Sequence, residues 1–340
     1  MKNRRIIISR NGGPEVLKLI EESVPSPAEG EVRVRVQSAG VAFADIMMRE
    51  GIYPGAPPVP FTPGYDIVGL VDEPGAGVKG LAKGQRVAAL TKVGGYADYL
   101  CLPEKDLVEA PEGLDPAEAV CLVLNYMTAW QMLHRVAHVR EGEKILIHGA
   151  AGGVGTALLQ LGALDGLEMY GTASKSKHEV VRHLGGVPID YTDEDFVARI
   201  KELTVKGVDA VFDPIGGDNW KRSFSTLRHG GRLVVYGYYG ITRGGRKNLL
   251  AGLKALKFGW KFSPSGMIGR TQSIGGYSIT SLKSVRHDWY REDLSGLLGM
   301  LAAGKIKPLV AGRLPLEQAA KAHELLGGKK IAGKVVLICE

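Results

Sequence analysis

Gly152 and Gly155 stand three residues apart, at the spacing of the second and third glycines of a dinucleotide-binding turn. They lie in the run KILIHGAAGGVGTALLQL, from Lys144 to Leu161. Strand-like alternation ends at His148, a turn of Gly and Ala follows, and an apolar pattern of helical period begins. Ala150 takes the place of the first glycine, with Gly149 beside it. Free N–H groups at the start of the helix, together with its dipole, would hold a pyrophosphate without a charged side chain. Turns of the same composition also occur with no ligand, so the reading depends on what else the chain carries.

An Asp or Glu about twenty residues beyond the turn selects NAD by binding the ribose hydroxyls. Here the corresponding stretch reads Tyr170-Gly171-Thr172-Ala173-Ser174-Lys175-Ser176-Lys177 and contains no acid. Hydroxyls and lysines suit a 2′-phosphate, which an Asp would repel. Lysines at a helix start oppose the dipole, so an anionic ligand explains them better than a plain basic surface does. The expected cofactor is NADPH. No metal site is expected: Cys101, Cys121 and Cys339 are scattered, form no CxxC pair and give no disulfide framework. His148, His178 and His183 fall in or near regular elements and read as packed or surface histidines. Without a metal to polarise a carbonyl, hydride addition to a quinone or an activated double bond is the easier chemistry, since the electron-poor acceptor supplies much of its own activation.

These residues need two kinds of scaffold. At 340 residues the chain has length for about two domains. No segment approaches the ~18 uninterrupted apolar residues of a spanning helix, and the start MKNRRIIISRNGG lacks a signal-type apolar core; a soluble, cytoplasmic protein is expected. The net charge of +7 is moderate and spread out, the ordinary case for a soluble enzyme, so a nucleic-acid partner is not expected. Period-two alternation at 4–8, 16–20, 32–36, 67–72, 85–90 and 96–101 predicts a half-exposed antiparallel sheet, with a short helix at 43–49 and a Pro-rich loop over 53–63. A helix is predicted over 118–133, after Asp115 and Pro116. Strands and helices then alternate to 236, the pattern of a doubly wound parallel sheet. Segments 273–279, 309–313 and 334–338 predict a return to the first type of sheet. The expected fold is α/β: a β-rich domain over 1–122, a dinucleotide-binding domain over 123–262, and a return to the first domain over 263–340.

Taken together, several motifs resemble the medium-chain dehydrogenase/reductase superfamily in its zinc-free quinone oxidoreductase branch. They are Ala39-Gly40-Val41-Ala42-Phe43-Ala44-Asp45, Gly51-Ile52-Tyr53, Pro63-Gly64-Tyr65-Asp66-Ile67-Val68-Gly69, the turn at 149–155, Phe212-Asp213-Pro214-Ile215-Gly216-Gly217 and Gly333-Lys334-Val335-Val336-Leu337. Val123-Leu124-Asn125-Tyr126-Met127-Thr128-Ala129, Ser174-Lys175-Ser176-Lys177-His178-Glu179 and Pro188-Ile189-Asp190-Tyr191 are most similar to the vesicle amine transport protein group. The resemblance implies a GroES-like catalytic domain, a Rossmann-type domain, NADPH in the cleft between them, and a homodimer. Where zinc-dependent relatives carry catalytic Cys and His, this chain has Ala42 and Tyr65. Quinone oxidoreductases usually carry Asn where Ala42 stands, a departure that weakens the likeness to an ordinary quinone reductase.

Carried over residue by residue, the resemblance places Ala150, Ala151, Gly152, Gly153, Val154 and Gly155 on the pyrophosphate. It places Ser174, Lys177 and Tyr191 at the 2′-phosphate, and Tyr236, Gly237 and Tyr238 on the ribose and nicotinamide side. Thr128 falls near the carboxamide and Ala42 near the nicotinamide. Gly275, Gly276 and Tyr277 border the nicotinamide from the other domain, with Lys334 close by. Tyr53, at the mouth of the Pro-rich loop, is the candidate to orient the substrate oxygen or relay its proton. The implied activity is NADPH-dependent reduction of a quinone or an α,β-unsaturated carbonyl, with an enoyl thioester a third substrate class. A different reading comes from the stretch 243–261, where Arg243, Arg246, Lys247, Lys254, Lys257 and Lys261 accompany Leu249, Leu250, Leu253 and Leu256 at helical spacing. Such a helix could lie in an anionic membrane surface and would suit an NADPH-binding, membrane-associating regulatory or lipid-handling protein with little catalytic activity. The plainer alternative is a surface helix packed on its leucines.

Overall fold

Val32, Val34 and Val36 are buried while the residues between them face outward, the alternation that makes a strand with one wet face. The computed structural model describes residues 2–238, 264–328 and 330–339. The basic stretch 243–261 lies outside the described residues. Two compact units are present: Met1–Met127 with Lys283–Glu340, and Thr128–Leu282.

In the first unit β1 (Lys2–Ile8) and β2 (Leu17–Ser23) form an antiparallel ribbon. The main sheet is built on β3 (Glu31–Val41), which pairs antiparallel with β4 (Asp66–Pro74); β4 pairs with β5 (Arg86–Leu90). β6 (Tyr99–Pro103) adds to β3, and β7 (Val108–Glu109) adds to β5. The strand expected at 96–101 thus begins later, because Tyr96 is withdrawn into the core and its hydroxyl serves a buried polar chain described below. Pro116–Cys121 is helical, capped by Asp115, whose carboxylate accepts the Ala117 N–H at 3.0 Å. The helical run predicted over 118–133 is longer: π turns occupy Leu122–Tyr126 and Met132–Ala137, and His138 ends it with φ 49°. Wide turns of this kind break the 3.6-residue period that guided the prediction.

The second unit is a six-stranded sheet of β8 (Lys144–His148), β9 (Glu168–Ala173), β10 (Gly186–Asp190), β11 (Val208–Asp213), β12 (Leu227–Val235) and β13 (Ser273–Gly276). All neighbours run parallel in the order β10-β9-β8-β11-β12-β13. The helices Gly153–Leu164, His178–His183, Phe196–Thr204 and Asp218–Ser225 connect its strands. Here the expected return at 263 is corrected. Ser273–Gly276 pairs with Arg232–Val235, so Gly275, Gly276 and Tyr277 belong to the second unit and not to the first. The strand has no buried alternating face, so its sequence carried no sign of which sheet it joins.

The chain re-enters the first unit at Lys283. The helix His287–Ala302 follows, then β14 (Val310–Pro315) and β15 (Lys334–Ile338); β15 pairs antiparallel with β3 through Val335–Val41 to Ile338–Ser38. Val335 and Leu337 close a core with Ile6, Ile8, Val34, Ile67, Val87 and Leu107. Each such side chain contributes roughly 1.5–3 kcal/mol on burial.

Candidate functional site

β8 and β11 are neighbours from which the chain winds in opposite directions, the switch point beyond whose carboxyl ends open α/β sheets bind ligands. The turn after β8 is set by Gly149, whose φ of 68° favours glycine. Gly149 therefore fills the role that Ala150 cannot. The Ala150 N–H donates to the Thr172 carbonyl at 3.0 Å, and the Gly152 N–H to the Gly149 carbonyl at 2.9 Å. A Cβ on Gly155 would lie 2.3 Å from the Gly149 oxygen, so Gly155 lets the helix Gly153–Leu164 pack on the turn. A Cβ on Gly152 would lie 3.3 Å from the Gly149 oxygen, a closer approach than most side chains make but far looser than at Gly155. No side chain caps that helix, so its first N–H groups fit an anionic group. The Ala150 methyl is admitted by Gly171 in β9, where a Cβ would come within 2.6 Å of it.

Beneath the turn lies a buried polar chain that spacing could not reveal. Thr172 Oγ1 accepts the Gly149 N–H at 3.3 Å and lies 3.1 Å from His148 Nδ1, to which it donates once Nε2 carries the imidazole proton. The neutral imidazole then donates from Nε2 to Ser223 Oγ at 2.9 Å, and Ser223 donates to Asp213 Oδ2 at 2.6 Å. Burial lowers the His148 pKa, in keeping with that neutral form. Asp213 also accepts the Ile215 and Gly216 N–H groups, at 2.7 and 3.3 Å, and fixes the loop after β11. One network thus orders two of the loops at the switch point. His148 is a packed histidine.

At the end of β9 stand Ser174 and the short turn Lys175–Lys177. The acid of this neighbourhood is Asp190, which pairs with Ala173 from β10. Hydrogen bonds from the Thr192 hydroxyl and N–H, at 2.6 and 3.0 Å, hold its carboxyl below the usual range. Tyr191 beside it is 55 % exposed. Beyond β12 the Tyr236 N–H donates to the Asp213 carbonyl at 3.2 Å, Gly237 passes close to Pro214, and Tyr238 lies edge-on to Trp220. Thr128 is buried. One turn further on, Gln131 Oε1 accepts the Tyr277 hydroxyl at 2.8 Å and ties that residue to the helix. The spacing of three from Thr128 was the available signal for Gln131.

In the first unit, Ala42 precedes the helix Phe43–Arg49, and its N–H donates to Asp45 Oδ2 at 2.9 Å. Asp45 Oδ1 accepts the Gly64 N–H at 3.0 Å, so one carboxyl joins the segments carrying Ala42 and Tyr65. Arg49 Nη1, His323, the Tyr96 hydroxyl and Asp45 Oδ2 form a continuous chain with steps of 3.3, 3.2 and 3.3 Å. Burial lowers the His323 pKa to about 3, leaving its Nδ1 to accept from Arg49. Burial pushes the Asp45 carboxyl up to about 7, against the Ala42 and Gly64 N–H donors that favour its charge. Tyr53 and Tyr65 come together, hydroxyl to hydroxyl at 2.8 Å. The Lys334 ammonium is buried and bonded to Asp66 at 2.7 Å, an ion pair inside the first unit. Among the described residues no group of three His, Cys, Asp or Glu is placed to hold a metal ion.

Residues 28–112 match the alcohol dehydrogenase GroES-like domain and residues 185–337 the zinc-binding dehydrogenase model. The rat synaptic vesicle membrane protein VAT-1 homolog is 34 % identical across 98 % of this chain and 84 % of its own length. Human quinone oxidoreductase is 30 % identical across 98 % of this chain and 97 % of its own length. The crystal structure of Escherichia coli quinone oxidoreductase complexed with NADPH superposes with a TM-score of 0.86 at 28 % identity, covering 98 % of this chain and 99 % of that one.

Proposed function

Since the chain belongs to the medium-chain dehydrogenase/reductase superfamily, with a GroES-like domain and a Rossmann-type parallel sheet, we propose that it is a zinc-independent, NADPH-dependent reductase of quinones or α,β-unsaturated carbonyls. The observation that carries the reading is the uncapped glycine turn at the switch point, with Ser174 and Lys177, and no acid, ending β9. Ala150, Ala151, Gly152, Gly153, Val154 and Gly155 would hold the pyrophosphate through backbone N–H groups. Ser174, Lys177 and Tyr191 would hold the 2′-phosphate, while Asp190 is kept on Thr192. Tyr236, Gly237, Tyr238, Gly275, Gly276 and Tyr277, with Thr128 and the Gln131–Tyr277 bond, would line the ribose and nicotinamide side. When bound, NADPH supplies hydride. The Tyr53 hydroxyl would orient the acceptor oxygen, and Ala42 would leave room beside it.

A homodimer is part of the proposal. In its support, β13 has a sheet neighbour on one side only among the described residues; light scattering in solution tests it. Among those residues no helix is long and apolar enough to cross a membrane.

The test is NADPH oxidation with quinones, enones and enoyl thioesters, run in parallel with NADH. Turnover with the first or second class and a preference for NADPH support the proposal. Equal use of NADH removes the role given to Ser174 and Lys177, and inactivity with all three classes removes the reductase reading.

A further inference from the structure

Tyr65, which stands where zinc-dependent relatives carry His, is joined by its geometry to Tyr53. The two rings meet edge-on at 6.4 Å, with the hydroxyl oxygens 2.8 Å apart. Tyr65 is 3 % exposed, whereas Tyr53 is only part-buried and sits at the start of the Pro-rich loop. We infer that the two tyrosines work as a couple in which Tyr53 gives a proton to the reduced acceptor and Tyr65 is the positioning residue that supports it. The inference rests on the reductase reading above.

The surroundings are built to hold the couple still. The Tyr65 carbonyl accepts two N–H groups, from Thr91 at 2.9 Å and Lys92 at 3.2 Å, and Thr91 Oγ1 donates to the Gly64 carbonyl at 2.6 Å. On the other side the Tyr53 and Ile52 N–H groups both donate to the Met47 carbonyl, at 3.2 and 3.0 Å, so Tyr53 hangs from the end of the helix Phe43–Arg49. Lys92 bridges the two. Its N–H binds Tyr65, and its ammonium donates to the Gly55 carbonyl in the Tyr53 loop at 3.1 Å. It does so from φ 66°, a left-handed conformation that a lysine adopts only where its contacts over-determine it. A residue under that constraint, tying together two segments whose side chains share one hydrogen bond, marks a preorganised group.

Either hydroxyl can donate in the shared bond, and the couple assigns the donation to the enclosed Tyr65. If the enclosed Tyr65 donates to Tyr53, the Tyr53 proton is directed elsewhere, toward the more open side. Once the acceptor has taken hydride at carbon, or at a quinone ring position, its oxygen carries the negative charge. The Tyr53 O–H bond breaks and a new O–H bond forms on the acceptor oxygen. The phenolate left on Tyr53 keeps the hydrogen bond from Tyr65 until water returns a proton. The sum is two electrons and one proton from NADPH as hydride, plus one proton from water.

Tyr53→Phe, Tyr65→Phe and the double variant keep both rings and remove hydroxyls alone. With a quinone or enone that the wild type reduces, each single variant is expected to lose about 10²-fold in kcat, with KM for NADPH within about twofold. The double variant should lose no more than the worse single one, because either deletion already disables the couple. In mixed light and heavy water the wild-type rate should curve with deuterium content, as two hydroxyl protons contribute, and the Tyr65→Phe rate should be linear. A Tyr65→Phe enzyme with wild-type kcat overturns the couple and leaves the reductase reading intact. A loss of kcat that tracks a lowered thermal midpoint, with curvature unchanged, assigns Tyr65 a packing role and also overturns it. A wild type that fails to oxidise NADPH with any of the quinones, enones and enoyl thioesters brings down the reductase reading, and the couple with it.

Discussion

Replacing Lys334 by Met separates two readings of that residue: a contact to the cofactor and one half of a buried ion pair. Lys334 Nζ lies 2.7 Å from Asp66 Oδ2, with side chains 2 % and 0 % exposed. Its stem crosses Gly40, where a Cβ would lie 2.2 Å from Lys334 Cε. Asp66 Oδ1 has no hydrogen-bond partner among the described residues, so the ammonium is the chief compensation there for a fully enclosed carboxylate. Asp66 and Asp45 also repel one another, and Lys334 offsets this by favouring the charge on both. Removing one partner of such a pair costs about 3–5 kcal/mol, mostly from the charge left behind. Lys334→Met should therefore lower the unfolding free energy by that amount, read as a fall in the urea midpoint at an unchanged m-value. Adding Asp66→Asn should recover more than half of the loss, since the stranded charge is gone. KM for NADPH should stay within about twofold in the folded variant. A stability loss below about 1 kcal/mol together with a tenfold rise in KM for NADPH would refute the reasoning and return Lys334 to the cofactor.

Three further outcomes follow from the same geometry. Gly155→Ala drives a Cβ to 2.3 Å from backbone and should destabilise the second unit by about 2 kcal/mol or more, whereas Gly152→Ala should leave the melting temperature within a few degrees and weaken NADPH binding at least tenfold in a fluorescence titration. Lys177→Ala combined with Ser174→Ala should raise KM for NADPH about tenfold and leave that for NADH unchanged. Asp45 titrates near 7 in the folded chain against an ordinary value of 3.8. The native state therefore keeps a proton that the unfolded chain has released, so Asp45's own contribution to stability should fall as pH rises from about 4 to 7, by up to about 4 kcal/mol, against the opposite contribution of the buried neutral His148 and His323, and the difference between wild type and Asp45→Asn in urea titrations should change with pH by that amount.

What the sequence revealed was what repeats locally. The turn after β8 is legible because period two gives way to period 3.6 around Gly149, Gly152 and Gly155, and each change leaves a trace in neighbouring residues. The helix Phe43–Arg49 and the strand Lys334–Ile338 were likewise legible from their own patterns. β13 was not: four residues without a buried face are placed by their ladder to β12, a contact some forty residues away in the chain. The His148, Thr172, Asp213 and Ser223 network joins residues up to 75 positions apart, and no spacing rule connects them. Tyr53 and Tyr65 are only twelve residues apart. What hid their pairing was an irregular Pro-rich loop, whose path is set by Lys92 and Met47 rather than by its own propensities.

Ala150 and Gly171 carry one methyl between them, and this makes the two positions a single unit of change. Restoring glycine at 150 alone would open a methyl-sized void under the turn, and adding alanine at 171 alone would force two carbons into the same place. Anyone grafting another cofactor turn onto this sheet, or tracing how this one arose, must move both residues in one step or pass through an intermediate that packs badly.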